Sequence, residues 1–401
     1  MRVAITIEQR FNRTPDGAVW TPTSFAYPFW NRYLSVFTEV QIIARVREVA
    51  GPELGWKRAD GKNVSVTAVP YYLGPQEFVA QLHRIIPAIR RAIPPEDAVI
   101  LRLGSQIGTI AAYTLHRSGQ PYGVEVLTDP FDAFVPGAIR HPLRPVLRQW
   151  LTCAMRTQCA KACAASYVTS QALQARYPCP AFMIGVSDVE LGDDAFAAGP
   201  RLPLHSQSPL RLITVASLAQ LYKGIDTLLD AIALCFQAGI PLHLTIVGDG
   251  KYRGELEARA ARLGLTKTVR FLGQLPAGQP VREQLDYADL FVLPSKTEGL
   301  PRAMVEAMAR GLPVIGTAVG GIPELLEPEE LVPPGDVAAL SAVLCAVAVD
   351  STRLATMATK NLAVAAMFRD DALRERRERF YREVRMKTAA WQNTHSARAG
   401  T

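Results

Sequence analysis

The stretch Ala288-Asp289-Leu290-Phe291-Val292-Leu293-Pro294-Ser295-Lys296-Thr297-Glu298-Gly299-Leu300-Pro301-Arg302-Ala303-Met304-Val305-Glu306-Ala307-Met308-Ala309-Arg310-Gly311 decides the fold. Leu290 to Leu293 reads as a buried strand that ends at Pro294-Ser295. A short loop carries Glu298-Gly299, and a helix is predicted over Pro301 to Arg310. Proline suits a first helical position, where its missing N–H has no intrahelical partner to lose. The amides of Gly299, Leu300 and the first turn are then left to aim at the strand-end cleft, as a phosphate site requires. Glu298 beside them can hold sugar hydroxyls, since a carboxylate accepts from two donors at once. Glu306 lies roughly two turns further on. The plainer reading makes Glu298 an electrostatic cap and Glu306 a surface residue.

Working outward, Leu210–Val215, Leu242–Val247, Val269–Leu272 and Pro313–Gly316 also read as strands. Helical spacing over Ile225–Phe236 and Leu256–Leu263 alternates with them. That rhythm predicts an α/β fold with a parallel sheet covered on both faces, and ligands beyond the carboxyl ends of its strands. The first half repeats it less cleanly. Its strands are expected at Val3–Ile7, Val64–Val69, Ala98–Leu103, Val124–Leu127 and Ala165–Thr169, and its helices at Asn31–Val49, Pro75–Ala92 and Pro145–Ala164. Gly192–Pro209, rich in Asp, Gly, Pro and Ser, reads as a linker. Two domains, 1–195 and 208–368, would face each other across a cleft. A charged helix, Arg369–Lys387, follows with a partial stripe of Leu373, Phe380, Tyr381 and Val384; the tail after Ala390 is expected to lack fixed structure.

With 49% hydrophobic and 20% charged residues among 401, the chain is neither disordered, collagen-like nor a coiled coil. The formal charge is modest, 44 − 37 = +7. No long apolar run predicts a membrane span: Thr227–Val247 is broken by Asp230, Gly239-Ile240-Pro241 and His243. The N-terminus reads as a strand rather than a signal peptide, and Cys153, Cys159, Cys163, Cys179, Cys235 and Cys345 read as reduced thiols, so the expected location is the cytoplasm. The histidines are scattered, and no metal site is expected. Gly248-Asp249-Gly250 is a tight strand-to-helix turn rather than a dinucleotide fingerprint, because the third glycine, Gly254, comes a position late.

The segment Val215-Ala216-Ser217-Leu218-Ala219-Gln220-Leu221-Tyr222-Lys223-Gly224 sharpens the reading. Lys223 stands at the start of a helix, where a cation is unfavourable unless an anion occupies the site. It is a candidate diphosphate ligand.

Here the sequence resembles retaining glycosyltransferase family 4, enzymes of GT-B type. The resemblance rests on Glu298 and Glu306 as an E-x7-E pattern, the Lys223-Gly224 element, Ile246–Gly250, Val269–Gly273, and Pro313 through Glu324, and it covers Leu210 to about Leu340. It implies two Rossmann-like domains facing each other across a cleft, with the terminal helix (369–390) crossing back to the acceptor-binding first domain. It implies a nucleotide diphosphate sugar as donor and neither cofactor nor metal. Lys223 would hold the diphosphate, Glu298 the transferred hexose, Glu306 the ribose, and the amides of Gly299 and Leu300 the phosphate. Gly273 would pass beside the base. Ser217 stands where the family usually has Arg, and Gly17 is the one glycine kept in a first loop that is often Gly-Gly. No His follows Val124–Leu127, so Asp129 or Asp132 is expected to face the cleft instead.

The implied activity is transfer of a hexose to an acceptor hydroxyl. The alternatives are a GT-B epimerase or phosphorylase, and a non-catalytic nucleotide-sugar-binding partner, which Ser217 and the missing His favour. Between Ala133 and Ser187 there is no acidic residue, while Arg140, Arg144, Arg148, Arg156, Lys161 and Arg176 stand there. Trp150 beside Arg144, Arg148 and Arg156 has the composition of a helix at an anionic membrane surface. That reading gives a lipid-linked glycan as acceptor, with the protein peripheral on the inner face of the cytoplasmic membrane. The plainer one is a domain helix with a solvated basic face. Nucleic acid is not expected, since no recognition motif accompanies the charge.

Overall fold

The computed structural model describes the chain apart from residues 134–143, 190, 202–208 and 400–401; Arg140 and part of the linker therefore lie outside the described residues. The first domain holds β1 (Arg2–Arg13), β2 (Val19–Thr21), β3 (Glu39–Glu48), β4 (Lys57–Arg58), β5 (Val64–Val69), β6 (Ala98–Arg102), β7 (Gly123–Val126), β8 (Ala164–Tyr167) and β9 (Met183–Gly185). Strands β5, β3, β1, β6, β7, β8 and β9 run parallel in that order, while β2 and β4 add an antiparallel extension at the far end of β1. The second domain is a wholly parallel sheet of β10 (Leu210–Val215), β11 (Leu242–Val247), β12 (Val269–Gly273), β13 (Leu290–Leu293), β14 (Val314–Thr317) and β15 (Leu331–Val332), ordered β12-β11-β10-β13-β14-β15.

Strands buried on both faces need apolar residues at successive positions. In β1, Val3 and Ile5 enter one core and Ala4 the opposite one, following the two-residue period of a strand. The helix Asp370–Ala399 returns to the first domain, where Phe380, Tyr381 and Val384 are wholly buried and the Tyr381 ring stacks on Tyr33 at 4.6 Å. The architecture is the GT-B fold anticipated from the sequence. Val189, Leu191 and Ala195 already pack in the core of the second domain.

Several elements differ from expectation. Asn31–Val49 is not a helix: a short 3-10 turn, Arg32–Ser35, precedes β3. The β-branched residues Val40, Ile42 and Ile43 and their burial in β3 between β1 and β5 outweigh the helical spacing before them. Pro75–Ala92 is two helices, Gly74–Ala80 and Leu82–Ala92, broken at Gln81. The terminal helix continues through the supposed tail to Ala399. No single helix among the described residues is long and apolar enough to cross a membrane; one pair, Val337–Ala348 with Ser351–Phe368, passes by composition but is bent by 104°. Its Leu340, Leu344, Leu354 and Met357 lie in the second core. All six cysteines are free thiols.

Candidate active site

The loops after β10 and β13 meet at one point. Lys223 Nζ lies 2.5 Å from Glu298 Oε1, and the same oxygen accepts from Ser295 Oγ at 2.7 Å. The Glu298 side chain is only 8% exposed, so its carboxylate is held by designated donors rather than by water. Two glycines permit the approach. Gly224 has φ +70°, and a Cβ there would fall 1.9 Å from the Pro294 carbonyl oxygen. Gly320, at φ +54°, comes equally close to the carbonyl oxygen of Glu298. A side chain at either position would drive the loops apart.

The helix runs Arg302–Ala309, with Pro301 as its N-cap at ψ 108°, one residue later than the sequence suggested. Pro301 cannot donate, and among the described residues no backbone bond uses the amides of Gly299 or Leu300. These N–H groups and the helix dipole favour an anion at this spot, while the Lys223 charge is balanced by Glu298. Leu300 packs against the cores of both domains, and a Cβ on Gly299 would sit 3.3 Å from the Leu127 carbonyl oxygen. The loop therefore faces the first domain directly.

Other sequence candidates are placed differently. Glu306 accepts from Arg302 Nε at 2.8 Å. Ser217 is exposed, and its hydroxyl takes the Ala219 amide at 3.3 Å. Gly273 closes β12, its carbonyl accepting the Gly248 amide at 2.8 Å, so the glycine turn packs beside it. Gly17 is not among the residues that line the cavity at Gly299 and Leu300. It belongs to the turn between β1 and β2, with its N–H on Thr14 O at 2.9 Å, because β1 runs on past a bulge between Thr6 and Arg10. Asp129 is also displaced: it is 8% exposed, and its carboxylate takes Arg176, the Tyr177 hydroxyl and the Phe131 amide. Asp132 shares Arg176 at 3.1 Å. Both aspartates tie the helix Ala172–Arg176 to the end of β7, and neither is among the residues lining the cavity at Gly299 and Leu300.

On the helix Arg144–Lys161, Arg148 turns inward, donating to Phe131 O at 2.6 Å with its guanidinium 3.5 Å from that ring's centre. Arg156 is exposed and donates to Arg176 O at 3.1 Å. Arg144 opens the helix, half-buried. Val146 and Trp150, one turn apart, are 66% and 50% exposed.

Sequence reasoning missed the first-domain wall of the cleft. A cavity of about 490 Å³ lies between Gly299, Leu300 and Arg302 on one side and Phe25, Phe29, Arg32, Leu127, Val168 and Asp188 on the other. Behind it, Arg102 pairs with Glu125 and, at 3.1 Å, with Asp188. Tyr33 donates to Glu125 at 2.8 Å. Two signals were available: Arg102 and Glu125 stand within otherwise apolar strands, and Phe25-Ala26-Tyr27-Pro28-Phe29-Trp30 is dense in aromatics without periodicity. Glu324, the last residue of the Pro313–Glu324 segment, has a role that its sequence position does not signal. It reaches across the domains to accept the amides of Gln171 at 3.0 Å and Ala172 at 2.7 Å. No group of His, Cys, Asp and Glu able to hold a metal ion occurs among the described residues.

Two parallel-sheet domains, a cleft formed by strand ends and a helix returning to the first domain define the GT-B class. Within it, residues 209–350 match the family described as glycosyl transferases group 1. The chain is 28% identical to protein CapJ of Staphylococcus aureus over 80% of each sequence. It is 37% identical to the amylovoran biosynthesis glycosyltransferase AmsK of Erwinia amylovora over 41% of this chain and 42% of that one. Among solved structures, Anabaena HepE in complex with UDP and glucose superposes with a TM-score of 0.62 at 18% identity, covering 99% of both chains, a likeness of fold.

Proposed function

We propose that the protein is a retaining glycosyltransferase that moves a hexose from a nucleotide diphosphate sugar to an acceptor hydroxyl in polysaccharide synthesis. The observation that carries this is the Lys223–Glu298 pair immediately before the unused amides of Gly299 and Leu300, two residues that line the cleft. The glycosyl transferases group 1 match over this domain and the amylovoran biosynthesis named for AmsK support it. So does the UDP and glucose held by HepE on the same fold. Lys223 and the amides stabilise the charge that develops as the diphosphate departs. Glu298 holds the hexose hydroxyls, Glu306 the ribose, and the Gly273 loop lies along the base. The acceptor proton passes to the departing phosphate oxygen on the same face of the sugar, which retains configuration without a separate base. Lys223 and the helix end supply the positive charge, so neither metal nor cofactor is called for.

The acceptor is a lipid-linked glycan, and the protein works in the cytoplasm at the inner face of the cytoplasmic membrane. Val146 and Trp150, exposed one turn apart on the helix Arg144–Lys161, support this, since an exposed aromatic and aliphatic pair favours the interface. With Arg148 turned inward, the apolar residues carry more of that contact than the charges do. The test is release of nucleoside diphosphate from a panel of UDP-, GDP- and dTDP-sugars by the purified protein. At least one donor is expected to be consumed. Consumption of none would leave the protein a non-catalytic binding partner.

A further inference from the structure

The first-domain wall of the cleft holds a carboxylate that the donor side does not use. Asp188 follows β9; its side chain is 40% exposed, and it lines the 490 Å³ cavity together with Gly299 and Leu300. It is the only acid among the described residues lining that cavity. Its two oxygens are aimed by separate cations: Oδ2 accepts from Arg102 Nη2 at 3.1 Å and Oδ1 from Arg32 Nη2 at 3.4 Å. Arg102 is itself 2% exposed and locked by Glu125, while Arg32 lies 3.9 Å from the centre of the Phe29 ring. Burial pushes the Asp188 carboxyl up, but Arg102 and Arg32 outweigh it and keep the group below its ordinary range, hence ionised at neutral pH. An ionised carboxylate is a pure acceptor, suited to a hydroxyl donor. Beside it, Phe25 and Phe29 meet edge to face at 4.8 Å and offer apolar surface.

We infer that Asp188 binds the acceptor: it takes the hydrogen bond of a sugar hydroxyl, with the apolar face of that ring on Phe25 and Phe29, and turns the reacting oxygen toward the donor sugar. Arg102 and Arg32 are positioning residues for it. The inference rests on the transferase reading above and names its acceptor end as a sugar ring rather than a bare lipid or a protein side chain. In the step, the bond from the sugar anomeric carbon to the phosphate oxygen breaks as the bond to the acceptor oxygen forms. The acceptor proton goes to the departing phosphate. Asp188 orients the hydroxyl group and keeps no proton.

The test compares wild type with Asp188→Asn and Asp188→Glu, using a donor that wild type consumes and alkyl glycosides as acceptor probes. Nucleoside diphosphate release is measured with and without acceptor, alongside thermal melting. The expectation for Asp188→Asn is unchanged acceptor-free donor hydrolysis and donor KM, with acceptor-dependent transfer down on the order of 100-fold. Asp188→Glu recovers part of that loss. Full transfer by Asp188→Asn overturns the inference and leaves the transferase reading intact. Loss of both activities with a lowered melting transition in both variants assigns Asp188 to the fold and also overturns it. If wild type consumes no donor, the transferase reading fails first.

Discussion

The two walls of the cleft are built in different ways. The second-domain wall comes from short contiguous stretches: Lys223 from the loop after β10, and Ser295, Glu298, Gly299 and Leu300 from the loop after β13. These lie on adjacent parallel strands, so their ends meet wherever the sheet forms. The first-domain wall gathers Phe29, Arg32, Arg102, Glu125 and Asp188 from across the domain, and the returning helix presses Tyr381 onto Tyr33 behind them. One wall is a local motif, and the other is a buried charge network that exists only in the folded domain. A local motif suits a ligand part that stays constant, such as a diphosphate. A network assembled from scattered residues can be altered piece by piece to suit different acceptors.

Two glycines break the comparison most sharply. Gly320→Ala forces a Cβ to within 1.9 Å of the Glu298 carbonyl oxygen. It is expected to cost about 3 kcal/mol of stability and to abolish donor consumption by moving the Glu298 loop. Gly17→Ala, at φ +84° in open space, is expected to cost only about 1 kcal/mol and to leave donor consumption unchanged. Melting and nucleoside diphosphate release on both variants check this; a Gly17→Ala protein that melts normally but consumes no donor would return the first loop to the donor site. A smaller effect is expected from Glu324→Ala, which strips the acceptor from the Gln171 and Ala172 amides. The loss is about 1 kcal/mol, as for a removed helix cap, and is seen as a lower melting transition. An unchanged transition would show that the bridge between the domains contributes nothing. The smallest effect belongs to Trp150→Ser with Val146→Ser, which should leave turnover on a soluble acceptor untouched while reducing co-sedimentation with anionic liposomes. Equal co-sedimentation of variant and wild type would remove the membrane role of this face.

This contrast also explains what could be read in advance. The strand-loop-helix unit around Glu298 was legible because an apolar run, a glycine and a proline are local signals. The β1–β3 region was misread where Tyr33, Val36, Phe37 and Val40 mimic helical spacing and the sheet around them decides otherwise. The place of Asp129 after β7 predicts a side chain at the cleft. Its side chain follows Arg176 and Tyr177, which lie nearly fifty residues away in sequence. Asp188 gave no sequence signal of its own, since its partners come from β6 and from the turn before β3.

The central claim is that Lys223 and Glu298 form a single donor site with separate duties, the lysine for the diphosphate and the carboxylate for the sugar. Titration calorimetry of a consumed nucleotide sugar and of its free nucleoside diphosphate, on wild type, Lys223→Ala and Glu298→Ala, tests it directly. Lys223→Ala is expected to weaken both ligands by at least roughly tenfold, as loss of a charge-assisted bond requires. Glu298→Ala should bind the nucleoside diphosphate normally and lose the added affinity for the sugar. Wild-type affinities for both ligands in both variants would contradict the account.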